Sequence, residues 1–377
     1  MYWFFPENYG FSFRTLRAIG NCHYGQGEFG EIAQVIERIK NDDYNSWCEE
    51  WKRMGDKCMD EGADAEKKGN MYTSCFAYNR ATSYYHLSQF FLPYDDPQKL
   101  PLYFNVLKCF EKGTRLDKPC PERVQIPYES SYLYAYFVPS DNVAEGEKSP
   151  CIVWFGGLDS TAEEVYYCIA KDLTRRGMSV LLVDGPGQGA SIRLNHIHSR
   201  YDYEVAGTAA FDYLVTRSDV DLDRVGLMAW SMGGYYAPRI ACFEPRYHAL
   251  VTYGAIFDYG EVWNARPDNH PMIPYIKWIF NKKTIEEARA EVARCNFRGG
   301  ELSNIKCPVL ICHCDADQQQ ASRDNAQRLI DGMVNSSDRT FHIFTREEGG
   351  CEHVSGDNMS HANAIAGDWF RKIFNIQ

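Results

Sequence analysis

"RVGLMAWSMGG" (residues 224–234) passes from a run of apolar residues into a serine followed by two glycines. A run of this length that ends in a Gly-rich turn reads as a buried strand entering a helix. Ser231 then sits on the turn itself. A strained strand-to-helix turn exposes a serine hydroxyl, demands small neighbours, and aims backbone N–H groups and the positive helix end at the reacting atom. Ala229 meets that size demand less well than glycine would. The pentapeptide alone therefore leaves two readings: a catalytic nucleophile, or a serine in an ordinary strand-to-helix turn.

Working outward, the same alternation recurs on both sides. "RVQIPYESSYLYAYFVPS" (123–140) predicts two strands joined by a turn around Glu129–Ser131, and "PCIVWFGG" (150–157) a buried parallel strand. A helix is expected over 162–176, then the strand "MSVLLVDG" (178–185), a helix around 203–216, and the 224–230 strand. A helix from Ser231, the strand "HALVTYGAI" (248–256) and a long insertion at about 258–300 follow. The strand "CPVLICHC" (307–314), a helix around 321–333, the strand "TFHIFT" (340–345) and a helix over about 361–374 complete the pattern. Repeated strand–helix units with continuous apolar strands predict an α/β fold, a mostly parallel sheet with helices on both faces. In such sheets chemistry gathers at the carboxyl ends of the strands.

Four strand ends carry candidate residues. Ser231 follows the first. "CHCDAD" (312–317) offers Asp315 and Asp317 as an acid, Asp317 being preferred because it lies further into the loop; Asp258 is a third candidate. "EEGGCEHVSG" (347–356) offers His353 as a base, with His361 the rival at the head of the last helix. Ser231, Asp317 and His353 run in the chain order Ser…Asp…His of the α/β-hydrolase triad, each after a separate strand. "WFGGLDS" (154–160) supplies the loop after an early strand, so that Met232 N–H and either Gly157 or Leu158 N–H would hold an oxyanion. "DGPGQG" (184–189) lacks the G-x-G-x-x-G spacing of a phosphate loop and reads as a tight turn.

The first 120 or so residues differ: "SWCEEWKRMGDKCMDEGADAEKKGNMYTSCFAYNRATSYYHLSQFF" has apolar and aromatic residues at helical spacing, with Gly55, Gly62 and Gly69 read as punctuation. This predicts a helical N-terminal cap domain over 1–120 and a hydrolase domain over 121–377. A net charge of −11 excludes nucleic acid and an anionic membrane surface as partners. No apolar run approaches the roughly 20 residues of a membrane span. "MYWFFPENYGFSF" lacks the basic start and small cleavage-site residues of a signal peptide and is expected to pack on the fold. The 14 cysteines, with no CxxC pair, suit a reducing, cytoplasmic setting. "CHCDAD" and "HIH" (196–198) place alternate side chains on opposite faces of a strand, so neither is read as a metal site; no cofactor is expected. A homodimer fits the same reading.

"VWFGGLDSTAEEVY", "DLTRRGMSVLLVDGPGQG", "VGLMAWSMGGYYAPRIACFEPR" and "GGCEHV" resemble the fermentation-respiration-switch group of α/β-hydrolases, which carries a helical domain ahead of the hydrolase domain. Within that group the likeness runs to 2,6-dihydroxypseudooxynicotine hydrolase and, more strongly, to the fungal hydrolases that shorten heptaketide naphthopyrones in pigment pathways. The resemblance implies a cofactor-free serine hydrolase with nucleophile Ser231, acid Asp317 and base His353, cleaving a C–C bond beside a carbonyl in a polyketide or acyl-aromatic small molecule. The 258–300 insertion carries little of this resemblance and is expected to form part of a lid together with the N-terminal helices. Ala229 departs from the group's usual glycine, and "DADQQQ" from its usual Val–Pro after the aspartate. An esterase, thioesterase or acyltransferase would use the same triad; a catalytically silent binding protein would need it broken.

Overall fold

The computed structural model describes residues 3–143, 146–270, 272–318 and 322–376. Outside them fall part of the "DNVAEGEK" loop, Pro271 of the insertion, and Gln319–Ala321, which include two residues of "DADQQQ" and the start of the helix expected at 321. The chain divides into two compact units, one of Met1–Pro121 with Glu163–Cys168, the other of Glu122–Ala162 with Ile169–Gln377.

The first unit is helical: Tyr9–Asn21, Phe29–Ile36, Tyr44–Lys67, Met71–Phe90 and Lys99–Thr114. Asn8 and Asp43 cap two of these helices by accepting the N–H groups of Phe11 and Ser46, which satisfies donors the helix itself leaves open. Phe5 is buried against Phe11 and Trp47, their ring centroids 5.4 and 6.1 Å away. The glycine punctuation is corrected here. The helix Tyr44–Lys67 runs straight through Gly55 and Gly62, and only Gly69, at φ +76°, lies past its end. A Cβ at Gly55 would lie 3.1 Å from the Tyr85 ring, and one at Gly62 3.0 Å from the Tyr78 ring. Seven residues apart, the two glycines form one flat stripe on which the aromatic helix Met71–Phe90 lies; close approach outweighs their low helix propensity.

Among the described residues the second unit holds eight strands: β1 Glu122–Tyr128, β2 Ser131–Val138, β3 Ser149–Phe155, β4 Ser179–Asp184, β5 Val220–Trp230, β6 Ala249–Tyr253, β7 Val309–Cys314 and β8 Arg339–Phe344. Their order is β1-β2-β4-β3-β5-β6-β7-β8. β1 and β2 pair antiparallel, as do β2 and β4, and every other pair is parallel. The chain leaves β3 to one side to form β4 and returns to the other side as β5. The reversal opens a crevice at the carboxyl ends of β3 and β5, where Phe155 pairs with Ala229. β3, β4, β6 and β7 are buried along their whole length, as their largely apolar sequences demand.

The expected 162–176 helix is three segments, Ala162–Val165, a π turn Tyr166–Ala170 and Lys171–Arg175. A short buried helix, Gly189–Asn195, follows β4 without having been expected, its small and polar residues giving no apolar stripe. The described residues of the 258–300 insertion form three short helices, Tyr259–Asn264, Ile273–Ile279 and Ile285–Val292. Its ends close on each other: Tyr259 N–H donates to Cys295 C=O, Phe297 N–H to Phe257 C=O, and Asp258 bridges Asn296. Among the described residues no helix is long and apolar enough to cross a membrane.

Candidate active site

Ser231 lies immediately after β5 with φ +55°, a left-handed conformation that costs a non-glycine residue energy and is held only where its surroundings enforce it. Its N–H donates to Tyr253 C=O at 2.9 Å, and Gly234 N–H donates to its C=O at 2.8 Å. The helix Gly233–Phe243 begins two residues later, so its positive end faces the hydroxyl. Ala229 fits because Gly233 does not carry a side chain: a Cβ there would stand 2.7 Å from the Ala229 methyl. The small residue the turn requires is thus at 233.

The later strand ends bring two partners to the serine. His353 Nε2 is 3.0 Å from Ser231 Oγ, and its Nδ1 is 2.7 Å from Asp317 Oδ2. The carboxylate only accepts, so Nδ1 carries the proton and Nε2 presents its lone pair to the hydroxyl. The side chains of His353 and Asp317 are 7% and 2% exposed, a dry setting in which this pairing is strong. The other candidates go elsewhere. Asp315 points outward, 4.0 Å from Arg323. Asp258 caps the insertion's first helix by accepting Glu261 N–H and pairs with Arg298. His361 pairs with Glu348. Cys312 and Cys314 are buried in β7 with His313 on the opposite face, and burial lowers the His313 pKa. His196 ends the short helix after β4 in a left-handed conformation, and His198 Nδ1 meets Trp278 C=O.

The loop bearing His353 is stapled by a residue that sequence reasoning missed. Asp357 accepts the N–H groups of Gly350, Cys351 and Glu352 at 2.9, 3.2 and 2.9 Å. Ala316 N–H donates to Cys351 C=O at 3.0 Å, tying the acid loop to the histidine loop. An aspartate collecting three backbone donors a few residues upstream is an Asx-type pattern, but "GGCEHVSGD" offers no periodicity that would flag it.

After β3, Gly157 lies against Ser231: a Cβ there would be 2.6 Å from Ser231 Cβ and 3.0 Å from its Oγ. Gly157 N–H is already used, donating to Ser160 Oγ at 3.0 Å. Among the described residues neither Leu158 N–H nor Met232 N–H meets a backbone or side-chain acceptor. Of the two second-donor candidates, Leu158 is the one with an N–H to offer. From the insertion, Arg266 lies 4.3 Å over the Trp263 ring; burial lowers its pKa, opposed by the charges of Tyr259 and Asp317.

Residues 146–298 match the family model described as serine aminopeptidase, S33. Among characterised relatives, Hydrolase acrC of Aspergillus aculeatus is 32% identical over 358 residues, 82% of this chain and 83% of its own. Hydrolase LUC6 of Fusarium sp is 27% identical over 424 residues, 100% of this chain and 99% of its own. The 20-hydroxy-prefusarin hydrolase FUS2 of Gibberella moniliformis is 27% identical over 381 residues, 90% of each. Among solved structures, 2,6-dihydroxy-pseudo-oxynicotine hydrolase superposes with a TM-score of 0.78 at 22% identity, covering 94% of this chain and 95% of its own.

Proposed function

The chain belongs to the α/β-hydrolases, alongside fungal hydrolases such as acrC, and from that premise we propose a cofactor-free serine hydrolase that cleaves a C–C bond beside a carbonyl in a polyketide or acyl-aromatic small molecule. The observation that carries the reading is the continuous relay Asp317–His353–Ser231, with links of 2.7 and 3.0 Å, on a serine held in left-handed backbone.

His353 Nε2 takes the Ser231 proton as Oγ attacks the substrate carbonyl, and Asp317 stabilises the imidazolium. The Met232 and Leu158 N–H groups receive the oxyanion. When the tetrahedral intermediate collapses, the C–C bond breaks and its electron pair leaves with the carbon fragment. That carbanion needs delocalisation as an enolate or phenolate-type anion, which is why a β-diketone or acyl-aromatic substrate fits. The imidazolium returns its proton to the leaving carbon. Water, deprotonated by His353, then attacks the acyl-serine, and collapse releases the carboxylic acid and restores the Ser231 hydroxyl. The name of one relative, a 20-hydroxy-prefusarin hydrolase, supports a secondary-metabolite substrate, and the 258–300 insertion is read as the lid that selects it.

Two assays test this. A fluorophosphonate probe should label the wild type and leave Ser231→Ala unlabelled; an unlabelled wild type overturns the reading. Incubation with acylated aromatic polyketides and with simple esters, followed by mass spectrometry, should show acid release from the ketones. Turnover of esters alone would refute the C–C assignment and leave an esterase.

A further inference from the structure

The "DGPGQG" turn after β4 contains a buried side chain that the triad does not use. Gln188 is 1% exposed, and both ends of its amide are engaged. Its Oε1 accepts Gly185 N–H at 3.0 Å, and its Nε2 donates to Gly156 C=O at 2.7 Å and to Gly157 C=O at 3.1 Å. These partners fix which end of the amide is which, since two carbonyls require the NH2 and the N–H requires the oxygen. The same two loops are joined again where Gly189 N–H donates to Ser160 C=O at 2.8 Å and Ala162 N–H to Asp184 Oδ1 at 2.9 Å.

In a planar trans peptide the C=O and the next residue's N–H point in opposite directions. Holding Gly156 C=O therefore turns Gly157 N–H away from Gln188, and it meets Ser160 Oγ, which also accepts the Trp230 indole N–H at 3.2 Å. Holding Gly157 C=O turns Leu158 N–H away in the same manner, on a peptide whose glycine touches Ser231. Resting on the reading of Ser231 as nucleophile, we propose that Gln188 is a positioning residue of the oxyanion site: it clamps the two carbonyls so that Leu158 N–H is held ready for the developing charge, without itself touching substrate. An oxyanion donor acts by being fixed in advance, and this loop, which carries two glycines, has no regular structure of its own to fix it.

The test uses the full-length protein with Gln188→Met, which keeps shape and loses every hydrogen bond, and Gln188→Glu, which keeps shape and gains an acceptor where a donor is needed. Two quantities are read: the rate of fluorophosphonate labelling of Ser231, and affinity for an aryl trifluoromethyl ketone, which forms a tetrahedral oxyanion, against that for the matching aryl alcohol, which does not. Both variants should label at least about tenfold more slowly, with a ceiling near the roughly 100- to 1,000-fold cost of losing one oxyanion donor. Affinity for the ketone should fall by a similar factor while the alcohol binds as before. Lowering the pH should protonate the buried carboxyl that Q188E introduces and give it an O–H to donate. Labelling of Q188E should then recover relative to the wild type measured at the same pH as the pH falls.

Wild-type labelling and ketone affinity in Q188M, with Q188E likewise unaffected, would overturn the clamp. So would equal losses for ketone and alcohol with no acid recovery of Q188E, the signature of a merely structural residue. If Q188M does not fold, Q188E alone decides through its pH profile. Failure of the parent reading looks different: there the wild type itself is not labelled at Ser231.

Discussion

Gly157→Ala is the sharpest perturbation of this site, because the added methyl has a known destination. It would arrive 2.6 Å from Ser231 Cβ, 3.0 Å from Ser231 Oγ and 3.3 Å from Trp230 C=O. Carbon atoms in contact settle at about 3.5–4.0 Å, so either Ser231 or the loop must retreat by roughly 1 Å. Ser231 is held through its N–H, its C=O and the helix that follows, so part of the displacement falls on the loop carrying Leu158 N–H. A misplacement of about 1 Å in a catalytic constellation costs on the order of 100-fold, or about 2.7 kcal/mol of transition-state stabilisation. The strain in the folded state should cost about 1–3 kcal/mol. The check is kcat/KM on whichever acyl-aromatic substrate the wild type turns over, with a urea titration beside it. Gly30→Ala is the control, since a Cβ there meets nothing within 4 Å; it should keep full activity and raise stability by about 0.5–1 kcal/mol. A Gly157→Ala enzyme with wild-type kcat/KM would refute the packing argument.

Other outcomes follow from the same geometry. Asp317→Asn should lower kcat by about 10,000-fold, the cost of presenting the wrong histidine tautomer in a serine triad, while Asp315→Asn and His361→Ala stay within about twofold in the same assay, being surface substitutions away from the relay. Asp357→Ala leaves three backbone N–H groups without their acceptor and should cost about 1–3 kcal/mol, read by chemical denaturation, with kcat falling as the His353 loop loosens. In the helical unit, burial pushes the Glu164 carboxyl up, but Arg17, His86 and Arg14 pull it further down, to about 2. A depressed folded pKa gives stability that is present above the unfolded value of about 4.3 and lost as pH falls toward about 2. Acid unfolding followed by circular dichroism should show that window, and Glu164→Gln should destabilise the unit by about 3–5 kcal/mol through the unpaired charge it leaves. Maleimide should modify exposed Cys120 first, since burial raises the Cys22 and Cys307 thiols to about 11; mass spectrometry of the native protein after brief exposure checks this.

The architecture was legible because hydrophobic period carries it. β3, β4, β6 and β7 each appear in the sequence as a largely apolar run bounded by turn residues, and the search for polar side chains at the strand ends, those of β5, β7 and β8 among them, led to Ser231, Asp317 and His353. Gln188, Ser160 and Asp357 were not legible for one shared reason. Each acts by bonding to backbone in an irregular loop, where no period exists and any short polar residue looks alike. Gly55 and Gly62 misled in the opposite direction: glycine marks breaks in a lone helix, and only the tyrosines on a neighbouring helix show that these two mark closeness. Asp317 was preferred on paper and Asp258 came third, though both are acids at strand ends. What separates them is that one finds N–H groups to cap and the other finds an imidazole.

The pairing that closes the insertion at Phe257–Tyr259 and Cys295–Phe297 has an evolutionary reading. A segment whose two ends are hydrogen-bonded side by side can change length or sequence without moving the strands that flank it, because the sheet registers only the closed base. Doubling such a loop costs only about 0.6 kcal/mol in closure entropy. A change of length or sequence in the three helices between those ends therefore leaves Ser231, Asp317 and His353 where the sheet put them. The closed base thus separates, within one chain, the segment free to vary from the sheet that holds Ser231, Asp317 and His353.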